Sequence, residues 1–356
     1  MSPGIGQAAR RGFTLVELLV GVAIGLFLMA VMGAVYVGSK TSFVAQESGS
    51  RLQENGRFAM DTLTQDLRMS GFRGCSAQQA TGGSGSPLAV PAVDNTLNTP
   101  DGLLYNFGQP IWGSHHNGSA WSPALAAPLT GLSPAAGGDV LVIRRPNGTA
   151  WSLIAEMADT TAPLTVTATA QFAKGDLLMV ADCAGASVLQ ATNDGPGAAG
   201  SLQHQTAVAG LVPGVARDAL ARIFAHDAVV WRMQTLIYYL AASERQSGQT
   251  ALWLYRHPTY DGSAQRSELI TGVERMALTF GIDNDGDDAA DRLVAPGSVT
   301  DWGRVVNARV ELLLVSQGSS TSTAQPYTFA GSTVTPTDGK PRAVMSTLVA
   351  LRNTLP

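Results

Sequence analysis

The chain has 356 residues, of which 45% are apolar and only 14% are charged, and its formal net charge is −4. This length allows a substantial hydrophobic core and as many as two lobes. The negative balance, together with the lack of any Lys/Arg run after residue 11, argues against a nucleic-acid-binding surface. The 39 glycines and 18 prolines indicate many turns and loops.

The N-terminus joins two cations to a long apolar run. Two arginines precede a Gly12-Phe13 junction, and Glu17 is the only charged residue over positions 13–37. As a helix, these 25 residues would be about 37 Å long, which is enough to cross a bilayer core of about 30 Å. A carboxylate near one end of such a helix is costly in hydrocarbon, so Glu17 is predicted to have a function.

This junction resembles the N-terminus of type IV pilins and of the related pseudopilins. The resemblance implies that a prepilin peptidase removes residues 1–12 by cutting after Gly12. It also implies that the new N-terminal amine, on Phe13, is methylated. In that family the glutamate that matches Glu17 pairs with the N-terminal amine of a neighbouring subunit. An ordinary single-pass anchor is the alternative interpretation.

The helical pattern continues past residues 13–38, the predicted transmembrane and assembly helix, into an amphipathic half over residues 39–72. The second half contains no proline, and its apolar residues recur at helical spacing: Leu52, Ala59, Leu63 and Leu67. We therefore predict one long helix over about 14–69. Gly49 and Gly56 lie inside it and are expected to weaken it by up to about 1 kcal/mol each and to permit bending.

Residues 73–138 are rich in Gly, Ser, Pro and Asn and are predicted to be irregular, with room for short strands. Residues 139–356 are predicted to form a β-rich, mostly antiparallel globular domain, because their apolar residues recur with a period of two. The predicted strands are 140–144, 164–169, 177–181, 187–192, 229–240, 252–256, 275–282, 305–315 and 343–351. A short polar turn separates 229–240 from 252–256, so these two strands are predicted to form a hairpin.

Three later blocks resemble a narrower group, the large minor pilins of the PilW type. They are residues 67–75, residues 181–183, and residues 268–314 with the chain end at 351–353. The resemblance implies an α+β, pilin-like fold in which the second half of a long N-terminal helix packs on an antiparallel sheet.

The same resemblance implies a structural minor pilin, not an enzyme, that helps prime type IV pilus assembly and is incorporated near the pilus tip. It implies a single-pass protein of the bacterial inner membrane, with a periplasmic globular domain that later joins the fibre. The implied partners are other minor pilins, the major pilin, the inner-membrane assembly platform, the prepilin peptidase and, often, a large tip adhesin. Because a tip-most subunit can lack the helix glutamate, Glu17 favours a position below the cap.

Two other functions stay open. A minor pseudopilin of a type II secretion system would have the same N-terminal chemistry. A membrane-tethered periplasmic binding module or enzyme would need a set of convergent polar groups in a cleft, and the sequence offers no such set.

The only two cysteines are Cys75 and Cys183. Because the bulk of such a chain is exported, they are predicted to form one disulfide, with two unpaired buried thiols as the alternative. Closing a loop of about 100 residues would stabilise the fold by up to about 4–5 kcal/mol in the chain-entropy description.

An acidic stretch near residue 285 is the candidate metal site. Alternating carboxylates around Gly286 can wrap a hard cation, so calcium is a candidate ligand and no other cofactor is required. The candidate ligands are Asp283, Asp285, Asp287 and Asp291. However, the glycine stands fourth in the run, and Val294 occupies the place where an EF-hand loop has glutamate. A solvated acidic turn between strands is the alternative.

Overall fold

The computed structural model describes residues 12–77, 93–195, 200–258, 264–316 and 324–353. Apart from Gly12, the predicted leader (residues 1–12) lies outside the described residues. By its internal packing the chain divides into two units, Met1–Arg51 and Leu52–Pro356. Helix α1 spans Leu15–Arg68 and contributes residues to both units.

The rest of the described secondary structure belongs to the second unit and is mostly strand. A four-residue helix, α2, spans Leu129–Leu132, and short 3-10 turns span Gly74–Ala77, Pro296–Ser298 and Trp302–Arg304. The strands are β1 Asp94–Asn95, β2 Ile111–His116, β3 Trp121–Ser122, β4 Val140–Ser152, β5 Leu164–Thr165, β6 Leu177–Asp182, β7 Gly185–Gln190, β8 Ser201–Leu202, β9 Val229–Ala242, β10 Thr250–His257, β11 Gln265–Thr271, β12 Val273–Ile282, β13 Arg292–Val294, β14 Val305–Val315, β15 Tyr327–Phe329, β16 Ser332–Val334 and β17 Arg342–Ala350.

These strands form two main sheets. The larger sheet has the strand order β1-β7-β6-β9-β4-β2-β3, with β10 paired to β9 and β11 paired to β10. The smaller sheet has the order β13-β12-β14-β17, and β5–β8 and β15–β16 form two-stranded ribbons. Every pair within them is antiparallel except β1–β7. The α+β fold class is therefore confirmed.

The predicted hairpin of 229–240 with 252–256 is confirmed as β9 and β10, which pair from Thr250 opposite Ala242 to His257 opposite Thr235. The prediction at 164–169 was too long. Strand β5 stops at Thr165, because the chain then turns and the Ala170 N–H donates to the Thr167 carbonyl at 2.9 Å.

Residues 73–138 contribute β1, β2, β3 and α2 in their described part. Strand β2 is held by pairing with β4, next to Arg144, whose side chain is buried. The guanidinium of Arg144 donates to the carbonyls of Leu103 at 2.6 Å and Gln109 at 2.5 Å. Burial lowers the pKa of Arg144 to about 9. Contacts distant in sequence therefore hold residues 103–111 in place.

The second half of α1 packs on both sheets through one hydrophobic core. Its buried apolar side chains pack against strands of both sheets, and they are Leu52, Ala59, Leu63 and Leu67. Gly56 lies inside the continuous helix, where a Cβ atom would come within 2.9 Å of the Met345 side chain. The glycine that was expected to weaken the helix thus allows it to approach β17 closely.

Candidate assembly site and acidic loop

The predicted assembly residues lie at the start of α1. Thr14 is the residue before the helix, and Glu17 lies in its first turn. The Thr14 N–H and hydroxyl both donate to Glu17 Oε2 at 3.0 Å, and the Glu17 N–H donates to Thr14 Oγ1 at 3.3 Å. This is a reciprocal capping box, which the Thr-x-x-Glu spacing could have revealed. It holds the Glu17 carboxylate against Thr14 at the start of the helix.

The apolar side chains that follow are exposed. By length and composition, α1 can cross a bilayer, and it is the one helix of the described residues that can. Phe13 is 90% exposed and Met29 is 75% exposed. In water such a surface is unfavourable, so these side chains require lipid or other helices as neighbours.

Cys75 and Cys183 form a disulfide in the structure. Cys75 lies in the Gly74–Ala77 turn directly after α1, and Cys183 lies between β6 and β7. The turn at Cys183 is fixed by Asp182 Oδ1, which accepts from the N–H groups of Ala184 at 2.8 Å and Gly185 at 2.9 Å. The disulfide therefore ties the end of the long helix to the larger sheet.

Replacing both Cys75 and Cys183 by serine is expected to lower the free energy of unfolding by about 2–5 kcal/mol, because the unfolded chain gains freedom in the loop that the bond closes. Denaturant unfolding of the purified protein measures this loss. Reduced wild-type protein should unfold at the same denaturant concentration as the double variant. An unchanged midpoint in both samples would contradict the structural role.

A buried charged group that the sequence reasoning missed holds α1 on the larger sheet. Asp66 is only 5% exposed, its Oδ1 lies 2.7 Å from Arg145 Nη2, and its Oδ2 accepts the hydroxyl of Tyr238. The pKa of Tyr238 is raised well above its usual value. Burial is the largest cause, and the neighbouring Asp66 carboxylate is the next largest. The sequence does indicate that Asp66 is buried, because helical spacing places it on the side of the helix that also carries Leu63 and Leu67.

The acidic loop connects β12 to β13. Ligand atoms of Asp283, Asp285 and Asp287 lie within 4.8 Å of one another, the one such acidic or His/Cys group found among the described residues. Repulsion from the carboxylates of Asp287 and Asp291 raises the pKa of Asp285. The geometry thus brings three of the four predicted ligands together.

Backbone hydrogen bonds shape this loop. Asp283 Oδ1 accepts from the N–H groups of Asp285 at 3.1 Å and Gly286 at 2.6 Å, and its Oδ2 accepts from Asp288 at 3.0 Å. These bonds, led by the one from Gly286, lower the pKa of Asp283. The fourth predicted ligand, Asp291, accepts from the Asn284 N–H at 2.6 Å. Such bonds are those that an acidic turn makes with or without a cation, so calcium binding stays a prediction.

Comparison with known protein families identifies both ends of this architecture. The family described as Prokaryotic N-terminal methylation motif matches residues 7–33, which include Gly12, Phe13 and Glu17. The family described as Type IV Pilus-assembly protein W matches residues 237–353. These two matches support a PilW-type type IV pilin. No curated protein and no solved structure matches it.

The two matches map onto different parts of the chain. The methylation motif covers the start of α1, with its exposed apolar side chains. The PilW match covers the last six residues of β9 and all of β10 to β17, and therefore the whole smaller sheet. Neither match covers residues 34–236, which contain the disulfide, Asp66 and Arg145.

Proposed function

We propose that this PilW-type pilin is a structural, non-catalytic minor pilin that helps prime type IV pilus assembly and is incorporated near the pilus tip. The observation that carries the proposal is the presence in one chain of the methylation motif and the PilW match. Both families are structural components of pili, and pilins and the pilus machinery are therefore the partners of this chain.

In the proposed mechanism, the prepilin peptidase cuts after Gly12 and frees the amine of Phe13, whose methylation keeps the positive charge. The Glu17 carboxylate of one subunit then pairs with the Phe13 amine of its neighbour. Opposite charges attract strongly in a low-dielectric helix bundle and are costly there when unpaired. The pair therefore sets the axial register of adjacent helices. The capping box supports this step, because Thr14 holds the carboxylate at the helix start.

The proposed location is the inner membrane, with α1 as the anchor and the second unit in the periplasm, followed by incorporation into the fibre. The specific partners proposed are other minor pilins, the major pilin, the assembly platform and a large tip adhesin. The retained Glu17 supports a position below the cap, since it needs a neighbouring amine. Among the alternatives, the PilW match favours a pilus over a type II secretion pseudopilus.

The mass and N-terminal residue of the protein isolated from membranes test this proposal. We expect a chain that begins at methylated Phe13 in cells with an active prepilin peptidase. Cells without the peptidase should yield a chain that still begins at Met1, which is the matched control. A chain that begins at Met1 in both strains would exclude the assembly mechanism, because the terminal amine would never reach Glu17.

A further inference from the structure

The last strand of the chain is an edge strand with the features of a pairing site. β17 pairs with β14 on one side, in continuous register from Arg342 opposite Val315 to Ala350 opposite Asn307. Nine residues long, it has no charged residue, proline or glycine after Arg342. A long, regular, uncharged edge strand presents unpaired backbone groups to any other extended chain.

The other terminal strands of the two main sheets are protected, as far as the structure describes them. β1 and β3 have two residues each, and β13 has three. β11 has seven, but it carries Arg266 and Glu268, and its register with β10 shifts at Leu252. Short strands, charges and bulges are the usual means of preventing edge pairing. β17 has none of them over residues 343–350.

The direction of its free backbone groups follows from the register. The Leu351 N–H donates to the Val306 carbonyl and the Ser316 N–H to the Pro341 carbonyl, both at 2.9 Å. In an antiparallel pair, hydrogen-bonded positions alternate, so the odd-numbered residues of β17 bond to β14. The N–H and C=O groups of the even-numbered residues face away from it, and no described residue bonds to those of Val344, Ser346, Leu348 and Ala350.

Helix α1 lies on one face of β17. Thr64 Oγ1 is 3.5 Å from Thr347 Oγ1, and Gly56 lies against Met345. On the opposite face Leu348 is 61% exposed and is paired across the ladder with Arg309. An added strand would therefore run beside α1 and place a side chain opposite Leu348.

The helix also suggests the charge of the added strand. Arg57 lies seven residues before Thr64, and Arg68 lies four residues after it. Both arginines therefore lie on the same side of the helix as Thr64. Both are exposed, and Arg57 is 3.8 Å from Asp61, also exposed. Asp61, three residues before Thr64, lies on this side as well, so the helix presents two arginines and one aspartate, a net charge of +1, beside the added strand's position.

We infer that β17 accepts an extended strand from a neighbouring pilin subunit, with an apolar residue opposite Leu348 and acidic residues toward Arg57 and Arg68. The free groups specify backbone as the occupant, because only an extended chain repeats donors and acceptors at this spacing. A pilin is the fitting source, since β17 lies within the PilW match and beside the helix that carries the assembly motif. This inference rests on the proposed function.

Hydrogen exchange at single-residue resolution tests the inference on the full-length chain. In detergent alone, the amides of Val344, Ser346, Leu348 and Ala350 should exchange rapidly, whereas those of Met345, Thr347 and Val349 should be protected. In the complex purified with its pilin partners, the even-numbered amides should exchange at least about tenfold more slowly. Equal exchange of these amides in the two samples would overturn the inference.

A substitution supplies the second test. Ser346→Pro removes an outward N–H without touching the β14 ladder, which is where proline is tolerated in a sheet. Ser346→Ala is the matched control, since both variants lose the bond from Arg309 Nε to Ser346 Oγ. We expect Ser346→Pro to recover at least about tenfold less partner pilin than wild type, and Ser346→Ala to match wild type. Equal recovery with Ser346→Pro would overturn strand addition.

The possible outcomes distinguish strand addition at β17 from the proposed function on which it rests. If pilins co-purify but β17 stays unprotected, strand addition is wrong and the minor-pilin function stands. If no pilin carrying the N-terminal methylation motif co-purifies with wild type, and deletion of the chain leaves pilus numbers unchanged, both are wrong.

Discussion

Changing Glu17 to alanine is expected to leave the protein in the membrane but to reduce the number of pili per cell by about tenfold or more. The apolar run keeps its length, so insertion should not change. The amine of the neighbouring subunit would lose its partner in a low-dielectric bundle, which costs several kcal/mol. Electron microscopy of pili and immunoblots of membrane fractions measure the two effects.

Two matched variants separate the charge of Glu17 from its capping role. Glu17→Gln keeps an acceptor for the Thr14 N–H and hydroxyl but removes the charge, so it should reduce the number of pili about as much as Glu17→Ala does. Thr14→Val removes the hydroxyl donor but leaves the carboxylate charged, and piliation should fall less than with Glu17→Ala. Normal pilus numbers with Glu17→Ala would contradict the pairing of Glu17 with a neighbouring amine.

The parts predictable from sequence are those that depend on local chemistry or on a simple period. The apolar run could be interpreted directly, because a bilayer imposes strict demands on length and charge, and the methylation-motif match covers the Gly12-Phe13 junction and Glu17. Strand β9 and its partner β10 show alternating or continuously apolar patterns on either side of a polar turn. The disulfide followed from there being two cysteines in a chain expected to be exported.

Other features depend on distant partners and carry weak local signals. Strand β2 has the sequence Ile-Trp-Gly-Ser-His-His, which has little strand preference, and its pairing with β4 makes it a strand. Strand β11 begins with polar residues, and its pairing with β10 makes it a strand. The edge position of β17 likewise could not be predicted, because strand order is a property of the whole sheet.

The acidic loop shows a third case, in which sequence identifies the residues but not their roles. Asp283 and Asp291 look like equivalent ligands in the sequence, and all four aspartates accept backbone N–H groups of the loop, yet the group of three carboxylates includes Asp283 and not Asp291. Asp285 and Asp287 complete the group of three carboxylates. Such differences arise from the path of the turn, which has positive φ at Gly286 and Asp288.

Changing Asp66 to alanine is expected to lower the free energy of unfolding of the second unit by about 3–5 kcal/mol. The mostly buried guanidinium of Arg145 would lose the carboxylate that it pairs with. The side chain of Arg145 is 18% exposed, and the hydroxyl of Tyr238 would lose its acceptor as well. Denaturant unfolding followed by the strand signal in circular dichroism measures the loss.

Asp61→Ala is the matched control for Asp66→Ala, because Asp61 lies on the same helix, is 76% exposed and is 3.8 Å from Arg57. An exposed pair of this kind contributes at most about 1 kcal/mol, so Asp61→Ala should leave the unfolding midpoint nearly unchanged. Asp66→Asn, which keeps an acceptor for Tyr238, should fall between the two. Equal stability of the Asp66→Ala and Asp61→Ala proteins would show that apolar packing at Leu63 and Leu67 alone holds the helix on the sheets, and that the buried charges contribute nothing to its position.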